Sequence, residues 1–211
     1  MSQSFKASAF EKIPVVGILR GTSVEESHFI ASTYQQQGFY TLEVTMNTPM
    51  VEEIIITLSE EYPELCIGAG TVCSVSDLDK AIAAGARFIV TPILNDAVIR
   101  ACVEANIAVF PGAYTPTEIY QAWQLGATAV KVFPATQLGP SYLKNVLAPL
   151  NSLKLIPTGG VSLDNMKSYF RAGAYGVGMG SSLLQKQYIS DKDSEGLGQH
   201  FLTIKEEIQR I

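Results

Sequence analysis

Signals for the start of an α-helix recur through this chain at a nearly regular spacing, and this repeat restricts the fold more than any other feature. In a motif such as Ser23-x-x-Glu26 the hydroxyl accepts a free backbone N–H and the carboxylate reaches back to the capping residue. The series is Ser23-x-x-Glu26, Thr48-Pro49, Ser76-x-x-Asp79, Asn95, Thr115-Pro116-x-Glu118, Gly139-Pro140 and Ser162. The starts lie 19 to 28 residues apart, which leaves room for one helix, one short strand and two loops.

Helix-stop signals and apolar runs complete each repeat. Gly38, Gly85, Gly126 and Gly173 follow helical stretches, where a left-handed residue closes a helix, and Asn106 is placed similarly. Short apolar runs occupy residues 15–19, 42–45, 66–69, 88–91, 108–110, 129–133, 154–156 and 176–179. Near-continuous apolar strands are typical of a parallel sheet that helices cover.

Eight strands alternating with helices predict an α/β fold, a single (β/α)8 TIM barrel, with residues 1–211 as one domain. A doubly wound open sheet is the alternative architecture. The polar segment 185–196 is expected to be a loop, followed by a last helix over 197–210.

Charge and composition exclude several classes of protein. The 211 residues include 15 Lys or Arg and 20 Asp or Glu, for a net charge of −5, which is not the basic surface of a nucleic-acid binder. No apolar run reaches the roughly 18 residues of a membrane span, and the first twelve residues lack a secretory signal. Three cysteines without CxxC spacing argue against a disulfide framework. We expect a cytoplasmic protein that binds neither nucleic acid nor membrane.

Candidate site residues lie where the predicted strands end, because the carboxyl ends of barrel strands form the reactive face. They are Arg20, Glu43, Thr45, Asn47, Thr71, Pro92, Lys131, Phe133, Thr158, Gly159, Gly160, Gly180 and Ser181. No His, Asp or Glu cluster has metal-ligand spacing, so neither a metal nor a cofactor is expected.

Lys131 and Glu43 are unusual because each places a charge inside an apolar strand. Burial lowers the pKa of a lysine, and a neutral amine can attack a ketone and form a Schiff base. A neighbouring carboxylate would then move protons. The alternative is a buried Lys–Glu ion pair that only stabilises the barrel.

Glycines at the last two strands indicate an anion site. Thr158-Gly159-Gly160 is expected to lead into a helix near Ser162, and Gly180-Ser181 into another. Backbone N–H groups at such helix starts bind phosphate. The alternative is that these glycines only make tight turns.

A set of ordered segments resembles the 2-keto-3-deoxy-6-phosphogluconate / 4-hydroxy-2-oxoglutarate aldolase family of Schiff-base (class I) aldolases. The segments are Gly17-Ile-Leu-Arg-Gly21, Leu42-Glu-Val-Thr45, Gly68-Ala-Gly-Thr71, Val90-Thr-Pro92, Pro111-Gly112 with Thr115-Pro-Thr-Glu118, Val130-Lys-Val-Phe-Pro-Ala135, Pro157-Thr-Gly-Gly-Val161 and Gly178-Met-Gly-Ser181. They cover most of residues 13–184.

The resemblance implies a barrel, usually a homotrimer, with Lys131 as the Schiff-base lysine and Glu43 as the general acid and base. It implies that Thr71 and Phe133 line the pocket and that the two glycine turns hold phosphate. The implied reaction cleaves a 2-keto-3-deoxy-6-phospho sugar acid of the gluconate type to pyruvate and glyceraldehyde 3-phosphate, and the family also includes 4-hydroxy-2-oxoglutarate as a substrate.

One departure from the family pattern concerns the substrate carboxylate. Many members carry arginine where this chain has Asn47, and Arg20 could supply that charge instead. The phosphogalactonate-cleaving branch resembles this chain in Leu19-Arg-Gly21, in Asn47-Thr-Pro49 and in the segment from Phe133 to Tyr142. The galactonate substrate therefore remains an alternative. Two further alternatives are a phosphate-binding barrel enzyme of the tryptophan or thiamine pathways and a non-catalytic phosphosugar-binding barrel.

Overall fold

Parallel strands form the centre of the computed structural model, which describes residues 4–210. The strands are β1 (Val15–Leu19), β2 (Thr41–Thr45), β3 (Cys66–Gly70), β4 (Phe88–Val90), β5 (Ala108–Phe110), β6 (Gly112–Ala113), β7 (Val130–Val132), β8 (Leu155–Pro157) and β9 (Val177–Met179). They are short and fully or almost fully buried, as their apolar sequences predict.

The strands follow one another around a ring. One sheet has the order β5-β4-β3-β2-β1-β9 and the other has the order β6-β7-β8. Pro111 alone separates β5 from β6, so the two are one interrupted strand, and a bridge from Thr158 to Gly178 joins β8 to β9. Within residues 4–210 the sheet thus has eight positions and closes on itself, so the predicted (β/α)8 barrel is confirmed and the doubly wound alternative is wrong.

Helices surround this barrel. Their bounds are α1 (Ala7–Phe10), α2 (Val24–Gln36), α3 (Val51–Glu61), α4 (Val75–Ala83), α5 (Asp96–Glu104), α6 (Pro116–Gln124), α7 (Gly139–Leu147), α8 (Met166–Arg171), α9 (Lys186–Ser190) and α10 (Ser194–Gln209). In the described range 4–210, no helix has the length and apolar character that crossing a membrane requires.

Three of the predicted helix starts are confirmed by their hydrogen bonds. Ser23 and Thr115 form complete capping boxes with Glu26 and Glu118, and the Asn95 side chain accepts from the Val98 N–H. The glycine stops are also confirmed, since Gly38, Gly85, Gly126 and Gly173 all have positive φ, as does Asn106.

Other predicted boundaries are wrong by a few residues. The capping box of α4 is Ser74 with Asp77 rather than Ser76 with Asp79, because the Asp77 carboxylate also accepts from the Cys73 N–H. Thr48 does not cap α3, because its hydroxyl lies buried beside the Thr45 hydroxyl (3.0 Å) and α3 begins only at Val51.

Two predictions for the carboxyl-terminal part of the chain also differ from the structure. Ser162 opens a turn, and α8 begins at Met166. The segment 185–196 is not all loop, because α9 and the first turn of α10 lie in it.

Buried apolar side chains of residues 4–210 form two cores. The larger core lies between the strands and the surrounding helices. The smaller core fills the barrel and is made of Phe10, Val16, Cys66, Phe88, Val90, Phe110, Ala129 and Ile156. Phe5 packs against this inner core with its ring 5.4 Å from that of Phe110. Because Phe5 and Phe10 precede β1, they close the amino-terminal end of the barrel, and the opposite end stays available for chemistry.

Candidate active site

Lys131 and Glu43 meet in one cavity inside the barrel. Lys131 lies at the centre of β7 and Glu43 at the centre of β2, and their side chains are 3% and 1% exposed. The cavity is lined by Val16, Ile18, Glu43, Val90, Phe110, Lys131, Ile156, Thr158 and Gly178. Sequence reasoning singled out the two charged residues and left open whether they meet. It did not single out the apolar walls, although strand alternation marks Val16 and Ile18 as neighbours on the same face.

Burial shifts the pKa of both groups toward the neutral form. The pKa of the Lys131 amine is lowered below 10.5, mainly by burial and further by the positive charge of Arg20, while the Glu43 carboxylate opposes the shift. The pKa of the Glu43 carboxyl is raised above 4.5 by burial, against the opposing charges of Lys131 and Arg20. The cavity therefore favours an uncharged, nucleophilic amine more than bulk water does.

The charged groups of Lys131 and Glu43 are not paired. Within residues 4–210 neither a hydrogen bond nor an ion pair of 4.0 Å or less joins Lys131 to Glu43, and neither carboxylate oxygen of Glu43 has a hydrogen-bond partner. The Lys131 Nζ lies 4.9 Å from the centre of the Phe133 ring, within cation–π range. A buried carboxylate without a partner is costly, which is expected of a group that a substrate will engage rather than of a stabilising ion pair.

Arg20 and Asn47 lie at the rim, where β1 and β2 end, and both are exposed. The two strand ends are tied together by the Thr48 hydroxyl, which accepts from the Gly21 N–H at 3.0 Å and shares a hydrogen bond with Thr45. Thr45 is fully buried, and its hydroxyl shares a hydrogen bond with the Thr48 hydroxyl, so Thr45 stabilises the rim. Arg20 is close enough to influence both Lys131 and Glu43 electrostatically.

Thr71 adopts a left-handed backbone conformation at the end of β3, with φ of 57°. This conformation is a true outlier for a β-branched residue, and strain of this kind is concentrated at functional sites. Its neighbour Val72 donates its N–H to the Val90 carbonyl at 3.2 Å, so the turn is fixed to the next strand.

Pro92 and Phe133 follow β4 and β7 on this end of the barrel and are half-buried. The Pro92 backbone packs so closely on Gly112 that a Cβ there would overlap it. The absence of a side chain at Gly112 therefore allows the Pro92 turn to lie against β6.

The two glycine turns lie side by side. Thr158 bridges to Gly178, and the Ser182 hydroxyl donates to the Val161 carbonyl at 2.6 Å. Gly159 and Gly160 have φ of 93° and 74°, which only glycine adopts freely. Gly180 and Ser181 belong to the second turn, with Ser181 exposed.

The prediction that each turn leads directly into a helix is wrong. Helix α8 begins six residues after Gly160, and α9 begins six residues after Gly180, at Lys186. Any anion held there would contact the turn backbone rather than the first turn of α8.

Known proteins that are similar in sequence to this chain are aldolases. The sequence model of the family described as KDPG and KHG aldolase matches residues 7–200. The 2-dehydro-3-deoxy-6-phosphogalactonate aldolase of Escherichia coli strain K12 is 36% identical over 174 residues, covering 82% of this chain and 85% of the relative. The 2-dehydro-3-deoxy-phosphogluconate aldolase of Treponema pallidum strain Nichols is 34% identical over 162 residues, covering 76% and 77%.

A solved structure also matches along nearly the whole chain. The KDPG aldolase of Legionella pneumophila, with pyruvate captured as a covalent carbinolamine, superposes with a TM-score of 0.86 at 26% identity. The match covers 94% of this chain and 97% of that one. The alternatives of a tryptophan- or thiamine-pathway enzyme and of a non-catalytic phosphosugar-binding barrel are not supported, because the aldolase family model matches residues 7–200 and the relatives are named aldolases. The protein belongs to the KDPG and KHG aldolase family, and it is an aldolase of the lyase class.

Proposed function

We propose that this aldolase cleaves a 2-keto-3-deoxy-6-phospho sugar acid to pyruvate and glyceraldehyde 3-phosphate through a Schiff base on Lys131. The observation that carries the proposal is the shared cavity of Lys131 and Glu43, in which burial lowers the pKa of the amine and leaves the carboxylate without a partner. We propose no metal or cofactor for this reaction.

Bond formation begins at the substrate ketone. The neutral Lys131 amine attacks C2 and gives a carbinolamine, which loses water to form the iminium. Glu43 carries the protons of this dehydration, with a substrate oxygen or a water molecule spanning the distance between the two side chains.

Carbon–carbon cleavage then uses the iminium as the electron acceptor. Glu43 takes the proton of the C4 hydroxyl, the C3–C4 bond breaks, and its electron pair moves toward the iminium nitrogen to give an enamine. Glyceraldehyde 3-phosphate leaves. Protonation of the enamine at C3 and hydrolysis of the resulting iminium release pyruvate and restore the Lys131 amine.

The remaining site residues are proposed to bind and orient the substrate. The turns at Thr158, Gly159 and Gly160 and at Gly180 and Ser181 are proposed to hold the phosphate, and Thr71, Pro92 and Phe133 the pyruvyl part. Thr45 and Asn47 complete the proposed rim of the pocket beside Arg20.

We predict that Arg20, rather than Asn47, binds the substrate carboxylate. Replacing Arg20 with glutamine should lower kcat/KM about 10- to 100-fold, mostly through KM, because a hydrogen bond to a charged group is lost. Since the Arg20 charge lowers the pKa of Lys131, the acid limb of the pH–rate profile should also move to higher pH. Steady-state kinetics of Arg20→Gln beside Asn47→Ala measure both effects. An unchanged KM in Arg20→Gln, or a larger rise in Asn47→Ala, would assign the carboxylate to the other residue.

The configuration at C4 of the substrate separates two forms of this proposal. The gluconate form is the common activity of the family, and the galactonate form is supported by the resemblance of Leu19-Arg-Gly21, Asn47-Thr-Pro49 and the segment from Phe133 to Tyr142 to the phosphogalactonate-cleaving branch. Relatives named for either substrate reach 36% identity, so identity does not distinguish the two forms. Pyruvate release from each epimer, measured side by side with the same enzyme preparation, decides between them. Absence of cleavage of both epimers and of 4-hydroxy-2-oxoglutarate would refute the proposed function.

Three broader properties belong to the same proposal. Residues 1–211 are proposed to act as one aldolase domain in a homotrimer, as the family resemblance implies. A cytoplasmic location is proposed because phosphorylated sugar acids are intracellular metabolites. Sedimentation equilibrium of the full chain measures the oligomeric state.

A further inference from the structure

Two glycines in β3 leave space inside the barrel for large side chains of the neighbouring strands. Cys66 belongs to the inner core, so alternation places Gly68 and Gly70 on the same inward face. A Cβ at Gly68 would overlap the ring of Phe88 from β4. A Cβ at Gly70 would lie 2.6 Å from the Glu43 Oε1 and 2.7 Å from its Cδ.

The backbone conformation does not explain the glycine at position 70. Gly70 is an extended strand residue whose register partner is Thr45, and it is not among the glycines with positive φ. Alanine would adopt this conformation without strain. The missing side chain therefore matters for what packs there, and the group that packs there is the Glu43 carboxylate.

Packing is also the main restraint on the Glu43 side chain. It is 1% exposed, and neither of its oxygens has a hydrogen-bond partner among the residues that the structure describes. A carboxylate without hydrogen bonds is directed by the surfaces that surround it, and the backbone of Gly70 is one of these surfaces.

We infer that Gly70 is a positioning residue, whose bare Cα holds the Glu43 carboxylate in the orientation from which it exchanges protons with the Lys131-bound substrate. The inference deepens the proposed function and rests on it. Misplacement of a reacting group by about 1 Å can cost roughly 100-fold in rate, so this contact has a measurable consequence.

The main test is Gly70→Ala. Because the atoms that a new methyl group would meet are the far end of a flexible side chain, we expect Glu43 to move and the barrel to stay folded. The kcat should fall about tenfold or more with KM nearly unchanged, and thermal unfolding should stay within a few degrees of wild type.

Rescue separates positioning from a general structural effect. Glu43→Asp shortens the side chain by one methylene and should be slow by itself. In the double variant Gly70→Ala/Glu43→Asp the shorter side chain leaves room for the new methyl group, so its kcat should exceed that of Gly70→Ala alone. A double variant in which the two losses simply multiply would overturn the inference.

Gly17→Ala is the matched control, a glycine-to-alanine change in β1, two strands away from β3 in the same sheet. A Cβ there would meet the Leu42 Cδ1 at 2.8 Å and the Tyr34 hydroxyl at 3.0 Å, on the outer side of the barrel and away from Glu43. It should lower the unfolding temperature and leave kcat close to wild type. A kcat loss in Gly17→Ala equal to that in Gly70→Ala would show that both act through the fold.

A readout independent of activity keeps this inference distinct from the proposed function. With 13C-labelled glutamate, the NMR titration of the Glu43 carboxyl, assigned with Glu43→Gln, should move between wild type and Gly70→Ala. An unchanged titration together with wild-type kcat overturns the inference. If wild type cleaves neither epimer, the proposed function fails, while the titration still reports whether Gly70 directs Glu43.

Discussion

Replacing Lys131 with methionine is expected to abolish cleavage and to leave the barrel folded. In the proposed mechanism the amine supplies the covalent bond to the substrate, and removal of a nucleophile of this kind costs at least about 10⁴-fold in kcat. Methionine fills nearly the same volume in a position that is 3% exposed. Because burying an amine is costly, the unfolding temperature should stay the same or rise.

Lys154→Met provides the matched control for this variant. Lys154 is half-buried and lies 4.5 Å from the centre of the Tyr175 ring, much as Lys131 lies over Phe133, but it precedes β8 and is outside the cavity. Its loss should leave kcat within about twofold of wild type. More than about 1% residual activity in Lys131→Met would exclude Lys131 as the nucleophile.

Replacing Glu43 with glutamine is expected to lower kcat about 10²- to 10⁴-fold, the range that a positioned acid or base contributes. The amide keeps the shape of the side chain but transfers no proton. Lys131 should still form the imine, but more slowly, because Glu43 no longer carries the protons of the dehydration. Removing the carboxylate also removes the charge that raises the pKa of the amine. The amine then stays neutral to lower pH, so the acid limb of the residual activity should move to lower pH.

Steady-state pH–rate profiles of wild type and Glu43→Gln measure this effect. Glu60→Gln, an exposed change on α3, serves as the control and should match wild type. A Glu43→Gln variant with undiminished kcat, or an acid limb that moves to higher pH, would contradict the assigned role.

Much of this fold is predictable from the sequence because its signals are local. Ser23, Asn95 and Thr115 cap helices through contacts within three residues, and the glycine stops need only their own backbone. The barrel follows from the regular repetition of these signals with apolar strands between them.

The errors arise where a residue distant in sequence decides the outcome. Thr48 has the local pattern of a helix cap, but its hydroxyl is engaged by the Gly21 N–H, 27 residues earlier. Ser74 and Ser76 begin overlapping capping boxes, and the pattern alone does not distinguish them.

In the candidate active site, too, local sequence patterns predict some features, while others depend on residues distant in sequence. Strand alternation shows only which neighbours share a face with Lys131 and Glu43, and whether that face is the barrel interior is left open by the sequence. The structure brings both side chains to one cavity. The lack of a direct hydrogen bond between them depends on the relative placement of β2 and β7, which lie on different sheets of the ring. The packing of Glu43 on Gly70 likewise depends on strand register, which sequence periodicity does not set across separate strands.

Borohydride trapping with pyruvate tests the central assignment most directly. The Schiff base predicts that reduction of the full-length protein in the presence of pyruvate adds one stable adduct per chain, which peptide mass spectrometry locates at Lys131 and which is lost in Lys131→Met. An unmodified protein, or an adduct on Lys144 or Lys154, would contradict it.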